Sequence, residues 1–183
     1  MSSSQTNTTL AIGAGAGLAV GLAANFVRKA IVQAPTVAAG SWEKALAAEH
    51  KATLKIFDAI EATSDKSSGK RSFLLMQLKH ALAKHALQEE NAVYAAMRDH
   101  DQTDDADHLN HDHGYVKQYL YDLTMLPKDS AAWLPKVREF RAMIEKHMDE
   151  EENEVFPRMR AKLSEEENAA LTHAMNKEGL KIA

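Results

Sequence analysis

The 183-residue chain has no cysteine, which excludes disulfides and thiolate ligation, so any metal must rest on imidazole and oxygen donors. That absence fits a reducing compartment, and the expected location is cytoplasmic. Neither sign of charge dominates: 22 basic residues face 26 acidic ones, for a net charge of -4. A nucleic-acid binder usually carries a basic face, so no nucleic-acid partner is expected. Aromatic residues make up 6% and prolines number four, while Ala, Leu, Glu and Lys are abundant, a balance that points to an all-α protein. A secretory signal is not expected either, because no positive charge precedes the one long uncharged run, Leu10 to Val27, and Arg28 and Lys29 follow it.

Residues 1–9 are rich in Ser, Thr, Gln and Asn and read as a disordered N-terminus. Residues 10–34 read as a Gly/Ala-rich apolar helix, with Gly13, Gly17 and Gly21 on one face where another helix can approach closely. Two uses fit residues 10–27. One is a membrane contact, whose basic flank would keep the rest of the chain on the cytoplasmic side. The other is packing on a partner, including a second copy of the chain.

The main domain is expected over residues 41–163. Ser41 is placed to cap a first helix with the stripe Leu46, His50, Leu54 and Phe57. A second helix, from about Lys70 to Asp99, carries Leu75, Leu78, Leu82, His85, Glu89 and Val93. The third carries Leu109, His113, Val116, Leu120 and Leu123, and closes at Leu126-Pro127. The fourth, capped by Ser130, carries Val137, Phe140, Ile144, His147, Glu151 and Val155. Residues 164–183 are expected to form a short C-terminal helix and tail, opened by the capping box Ser164-Glu165-Glu166-Glu167. Four long amphipathic helices joined by short loops predict an antiparallel up-down four-helix bundle.

Every one of the four stripes has a histidine in its middle. Two of them repeat a spacing: His85-x-x-x-Glu89-Glu90 is followed by Val93 and Tyr94, and His147-x-x-x-Glu151-Glu152 by Val155 and Phe156. On a helix, residues four apart share one face about 6 Å apart, so an imidazole nitrogen and a carboxylate oxygen can converge on one ion. Burying such groups costs several kcal/mol unless they are satisfied. Two irons bridged by the two carboxylates satisfy all of His50, His85, Glu89, His113, His147 and Glu151. A single structural zinc needs four ligands and leaves two groups stranded. His111 beside His113 leaves the third-helix register open, as a substitute or an addition, although Val116 and Leu120 favour His113. His100-Asp104 and His108-Asp112 share the spacing without core placement, and His80, His100 and His173 read as surface residues. The acidic run Asp149 to Glu154, apart from Glu151, reads as a solvated face; the alternative is that Glu90, Glu150 or Glu154 guides iron inward. Tyr115, Tyr119, Tyr121 and Trp133 read as packing residues, with a redox role near iron as the alternative.

Together Glu49-His50-Lys51, His85-x-x-x-Glu89-Glu90, His113-x-x-Val116-x-x-x-Leu120 and His147-x-x-x-Glu151-Glu152, ending in Val155-Phe156-Pro157, resemble the hemerythrin family in its bacterial HHE cation-binding form, over roughly Trp42 to Leu163. The resemblance implies a hemerythrin-like bundle around a non-haem di-iron site with an oxo or hydroxo bridge, four imidazole ligands at His50, His85, His113 and His147, and bridges at Glu89 and Glu151. One position departs from the pattern. Oxygen-carrying hemerythrins have a further histidine four residues before the third-helix ligand, where this chain has Leu109. Reversible oxygen storage fits such a site less well than redox chemistry with oxygen, peroxide or nitric oxide.

Three functions follow as expectations: a sensor or handler of small oxidants in stress defence; iron storage, delivery or repair of iron centres; and a metal-stabilised interaction module anchored by its N-terminal helix. Nothing beyond the ligands forms a catalytic set, so the sequence does not decide whether the protein is an enzyme.

Overall fold

The computed structural model describes residues 25, 27–29 and 31–183. Residues 10–24 and 26, which hold most of the expected apolar helix, lie outside the described residues, as do residues 1–9. Among the described residues no helix is long and apolar enough to cross a membrane.

The described chain is all helix and connection, with no strand. Residues 31–38 form α1. Helical structure thus continues past Pro35, beyond the boundary expected at residue 34, and Gly40 then turns the chain with φ at +93°. The helices that follow are α2 (Trp42–Glu61), α3 (Ser68–Gln88), α4 (Tyr94–Asp99), α5 (Thr103–Met125), α6 (Trp133–Glu150), α7 (Phe156–Lys162) and α8 (Glu165–Ile182). A 3₁₀ turn spans Asp65–Ser67, and wider π turns span Glu89–Val93 and Glu151–Val155.

Two sequence caps differ in detail. Ser41 is the N-cap of α2, but its hydroxyl donates to Glu43 Oε1 at 2.8 Å instead of taking a backbone N–H. Ser130 Oγ accepts from Ala132 N at 3.2 Å, just ahead of α6. The capping box of α8 is complete. This last helix is not short. At 18 residues it matches α6 in length, because Leu171, Met175 and Gly179 give it a buried face along the chain. Gly179 lets Gln33 approach closely, since a Cβ would lie 2.7 Å from Gln33 Oε1 and push that side chain aside, and Gln33 itself donates to Asn176 Oδ1 at 3.0 Å.

α2 packs on α3 and α6, and α5 packs on the same two helices, so the four long helices neighbour one another in the order α2, α3, α5, α6. The core divides into two apolar layers. One contains Leu46, Val93, Leu109 and Val155; the other contains Phe57, Leu82, Val116 and Ile144. Chain direction alternates between them: α2 and α5 run from the first layer to the second, α3 and α6 from the second to the first. In each helix the histidine lies between the two layers. A fully buried apolar side chain contributes about 1.5–3 kcal/mol, and these two layers clamp the polar band from both ends.

Candidate metal centre

The histidine of each long helix points into that band. His50, His85, His113 and His147 are 1%, 5%, 3% and 4% exposed, and Glu89 and Glu151 are fully buried. Each glutamate reaches the histidine of its own helix and that of one neighbouring helix. Glu89 places Oε1 3.0 Å from His85 Nε2 and Oε2 3.3 Å from His113 Nε2. Glu151 places Oε2 3.4 Å from His50 Nε2 and Oε1 3.4 Å from His147 Nε2. Two groups of converging donors result, each with all its donor atoms within 4.8 Å of one another: His50, His85, Glu89 and Glu151, and Glu89, His113 and His147. Glu89 is common to both. All six residues expected from the sequence are therefore gathered at one place.

His111 is not. It is exposed on the outer face of α5, with its ring edge-on to Tyr115 at 5.1 Å, so the register settles on His113. Leu109 is fully buried in the first apolar layer. His80 and His173 are exposed, as the sequence implied, and His100 is half-buried. Tyr115 and Tyr121 are exposed, while Trp133 is buried with its Nε1 on Leu123 O and Tyr119 stacks on Phe140 at 5.1 Å.

The donors fit a bound cation on their own chemistry. His50 Nδ1 lies 2.7 Å from Glu152 Oε1 and His85 Nδ1 lies 3.3 Å from Glu49 Oε2, so each Nδ1 carries the proton. Their Nε2 atoms then meet lone pair to lone pair at 2.9 Å. A metal ion between them, or a proton on one of them, makes that contact favourable. Glu89 Oε1, Glu151 Oε2 and His147 Nε2 are buried without a hydrogen bond, a cost of several kcal/mol that a metal would remove; His147 Nδ1, on the outer side 3.4 Å from Asp112, makes none either. Without an ion the protein must hold a proton instead. Burial depresses the His85 imidazole, but Glu89 and Glu49 outweigh it and raise its pKa well above the ordinary histidine value. Burial raises Glu89, and His85 and His113 outweigh it, holding the carboxylate well below its usual range. The His113 imidazole is likewise raised, with Glu89 and Glu90 overcoming its burial.

The π turn after Glu89 explains how that glutamate shares the centre with the aromatic residue five positions on. In an α-helix five residues make about 1.4 turns and face away; the wider turn brings the fifth residue back. Tyr94 Oη consequently donates to Glu151 Oε1 at 2.8 Å and lies 3.4 Å from both Glu89 Oε2 and His113 Nε2. Burial, with Glu89 and Glu151 beside it, raises the phenol pKa well above its ordinary value, so Tyr94 keeps its proton. Phe156, in the equivalent place after Glu151, packs edge-on against Trp42 at 5.2 Å. Sequence reasoning missed Tyr94 as a site residue, although the aromatic closing the first motif was its signal.

Missed too were the carboxylates behind the imidazoles: Glu152 on His50, Glu49 on His85, Glu90 on His113 at 2.9 Å, and Asp112 on His147 at 3.4 Å. Their signal was adjacency, since each is next in the chain to one of the six. Beside the centre, between His85, His113, His147, Leu82, Val116 and Ile144, lies a cavity of about 20 Å³, room for roughly one water-sized molecule.

Residues 43–159 match the family model described as the hemerythrin HHE cation binding domain. An uncharacterized hemerythrin-like protein of Schizosaccharomyces pombe is 31% identical over 90 residues, which span 48% of this chain and 44% of that protein. The alignment thus spans less than half the length of that relative. No solved structure matches the chain.

Proposed function

Because this chain belongs to the hemerythrin HHE cation-binding family, we propose that it is a non-haem di-iron protein that binds or reacts with oxygen, peroxide or nitric oxide in sensing or stress defence. His50, His85, His113 and His147 are the imidazole ligands in this reading, and Glu89 and Glu151 the bridges, with an oxo or hydroxo group completing the pair. The alternating helices around them are taken as the antiparallel up-down four-helix bundle that such a centre occupies.

One observation carries the proposal: two donor groups overlap at Glu89, whose two oxygens face imidazoles of different groups. A single ion leaves one group unfilled; two ions fill both. Iron held there would supply Lewis acidity and one-electron chemistry to a small ligand. The chain's own residues set the terms. The apolar layers flank the band, and the adjacent cavity of about 20 Å³ has room for roughly one water-sized molecule, which suits a small ligand such as a diatomic. The group around His113 and His147 has three converging protein donors against four in the other, and Leu109 adds none. We assign the exogenous ligand to that poorer group. Tyr94 keeps its proton beside it, and by turning that O–H away from Glu151 Oε1 it would donate a hydrogen bond to a ligand oxygen instead.

Iron storage or delivery is the weaker reading, because donors so deeply buried favour retention. The interaction-module reading turns on residues 10–27, of which the structure describes only 25 and 27. The test is anaerobic loading with ferrous iron followed by stopped-flow addition of oxygen or nitric oxide. New oxo-to-iron or nitrosyl absorption is expected; its absence from iron-loaded protein would remove the proposal.

A further inference from the structure

We infer that Glu49, Glu90, Asp112 and Glu152 form a closed ring of positioning carboxylates around the centre, each lent by one long helix to the imidazole of the next. Glu49 on α2 faces His85 on α3; Glu90, in the π turn after α3, faces His113 on α5; Asp112 on α5 faces His147 on α6; and Glu152, in the π turn after α6, faces His50 on α2. Four links return to the starting helix. The inference rests on the six inner residues being metal ligands, as proposed above.

The ring has one sense of rotation, and the chain positions show why. On α2 and α5 the carboxylate comes one residue before an inner ligand, as Glu49 before His50 and Asp112 before His113. After α3 and α6 it comes one residue later, as Glu90 after Glu89 and Glu152 after Glu151. Consecutive helical residues are rotated by about 100°. Since α2 and α5 run opposite to α3 and α6 between the apolar layers, a step back in one pair and a step forward in the other turn the same way around the bundle. A residue that far from the inward direction faces the seam with the next helix, where the neighbour's outer imidazole nitrogen lies.

A link that forms a hydrogen bond holds Nδ1–H and so leaves the Nε2 lone pair aimed at the centre. The links are unequal. Those on His50, His113 and His85 are hydrogen bonds of 2.7, 2.9 and 3.3 Å, whereas His147 and Asp112 stand 3.4 Å apart without one. The slack link belongs to the group with fewer protein donors. The Glu49 link is braced from outside, since Thr36 Oγ1 and Lys84 Nζ lie 2.6 and 2.7 Å from Glu49 Oε1, which ties α1 to the ring.

Glu152 and Glu90 are partly exposed, with 35% and 28% of the side chain accessible, so both accept Leu without leaving a hole. The experiment compares wild type with Glu152→Leu, Glu152→Gln, Glu90→Leu and Glu90→Gln by native mass spectrometry of ferrous iron retained against a graded chelator. Melting of the metal-free forms is followed in parallel. Each Leu variant is expected to weaken one of two ions 10- to 100-fold and leave the other bound, while Gln, whose amide oxygen still accepts from Nδ1–H, recovers most of the loss. Wild type holding two ions with both Leu variants unchanged would overturn the ring and leave the ligand assignment standing. A Leu variant that weakens both ions equally, or a Gln variant no better than Leu, would overturn it too. Wild type that binds no iron would overturn ligands and ring together.

Discussion

His50 and His85 face each other through their Nε2 atoms at 2.9 Å, while Glu152 and Glu49 hold the protons of both rings on the far side. Two lone pairs so placed repel unless a metal ion or a proton lies between them.

From this contact comes the first prediction. His85→Ala removes one donor from the four-donor group, so iron per chain should fall from two to one. The wild type should gain about 4 kcal/mol of stability at free iron 1,000-fold above its dissociation constant, and the variant distinctly less. Metal analysis and thermal melting with and without iron check both. Equal iron content in the two proteins would count against the assignment.

The metal-free protein should be most stable in mildly acidic to neutral solution. His85 has a raised pKa, so its contribution is complete below the ordinary histidine value of 6.5 and is lost as pH climbs through the raised one. Glu49 behaves oppositely. Burial raises its carboxyl, but His85 and Lys84 prevail and bring it to about 2, so its contribution is complete above 4.5 and is lost as pH falls toward 2. Iron replaces the His85 proton, so loading should abolish the alkaline loss, and iron affinity should rise with pH. Melting temperature against pH for both forms is the measurement. A metal-free form as stable at pH 10 as at pH 7 would contradict it.

Tyr94→Phe removes the O–H that donates to Glu151 Oε1 at 2.8 Å. Hydrogen bonds to charged groups contribute about 1.5–3 kcal/mol, so the metal-free protein should lose about that much or less, while iron content stays at two. Nitric oxide should dissociate roughly tenfold faster from the ferrous form if a hydrogen bond of about 1.4 kcal/mol to the ligand is lost. An unchanged dissociation rate would exclude Tyr94 from contact with the ligand.

Leu109 lies fully buried, one helical turn before His113. Leu109→His should destabilise the metal-free protein by about 1–3 kcal/mol through an unpaired polar group in an apolar layer. In the iron form the added imidazole should fill the donor-poor group and slow nitric oxide binding. Binding as fast as in wild type would show that this group is not the entry point.

The six inner residues were legible in the sequence because each interrupts an apolar stripe at helical spacing, and a polar residue there needs a partner. Helix periodicity gave α2, α3, α5 and α6 for the same reason. The π turns after Glu89 and Glu151 left no trace, since widening a helix depends on what pulls its side chains inward, and Tyr94 was missed with them. Glu49, Glu90, Asp112 and Glu152 were missed for another reason: adjacency to the six was a weak signal, because acidic residues are common on helix surfaces and only the neighbouring helix decides which of them face an imidazole. The length of α8 was underestimated because its buried face, Leu171, Met175 and Gly179, is thin in large apolar residues and is covered partly by α1.

Iron bound per chain, counted by native mass spectrometry on protein loaded with ferrous iron, tests the central claim most directly. Two ions per wild-type chain, and fewer than two after Glu89→Ala, is the predicted result. No iron, or a single ion whose uptake Glu89→Ala leaves unchanged, would contradict it.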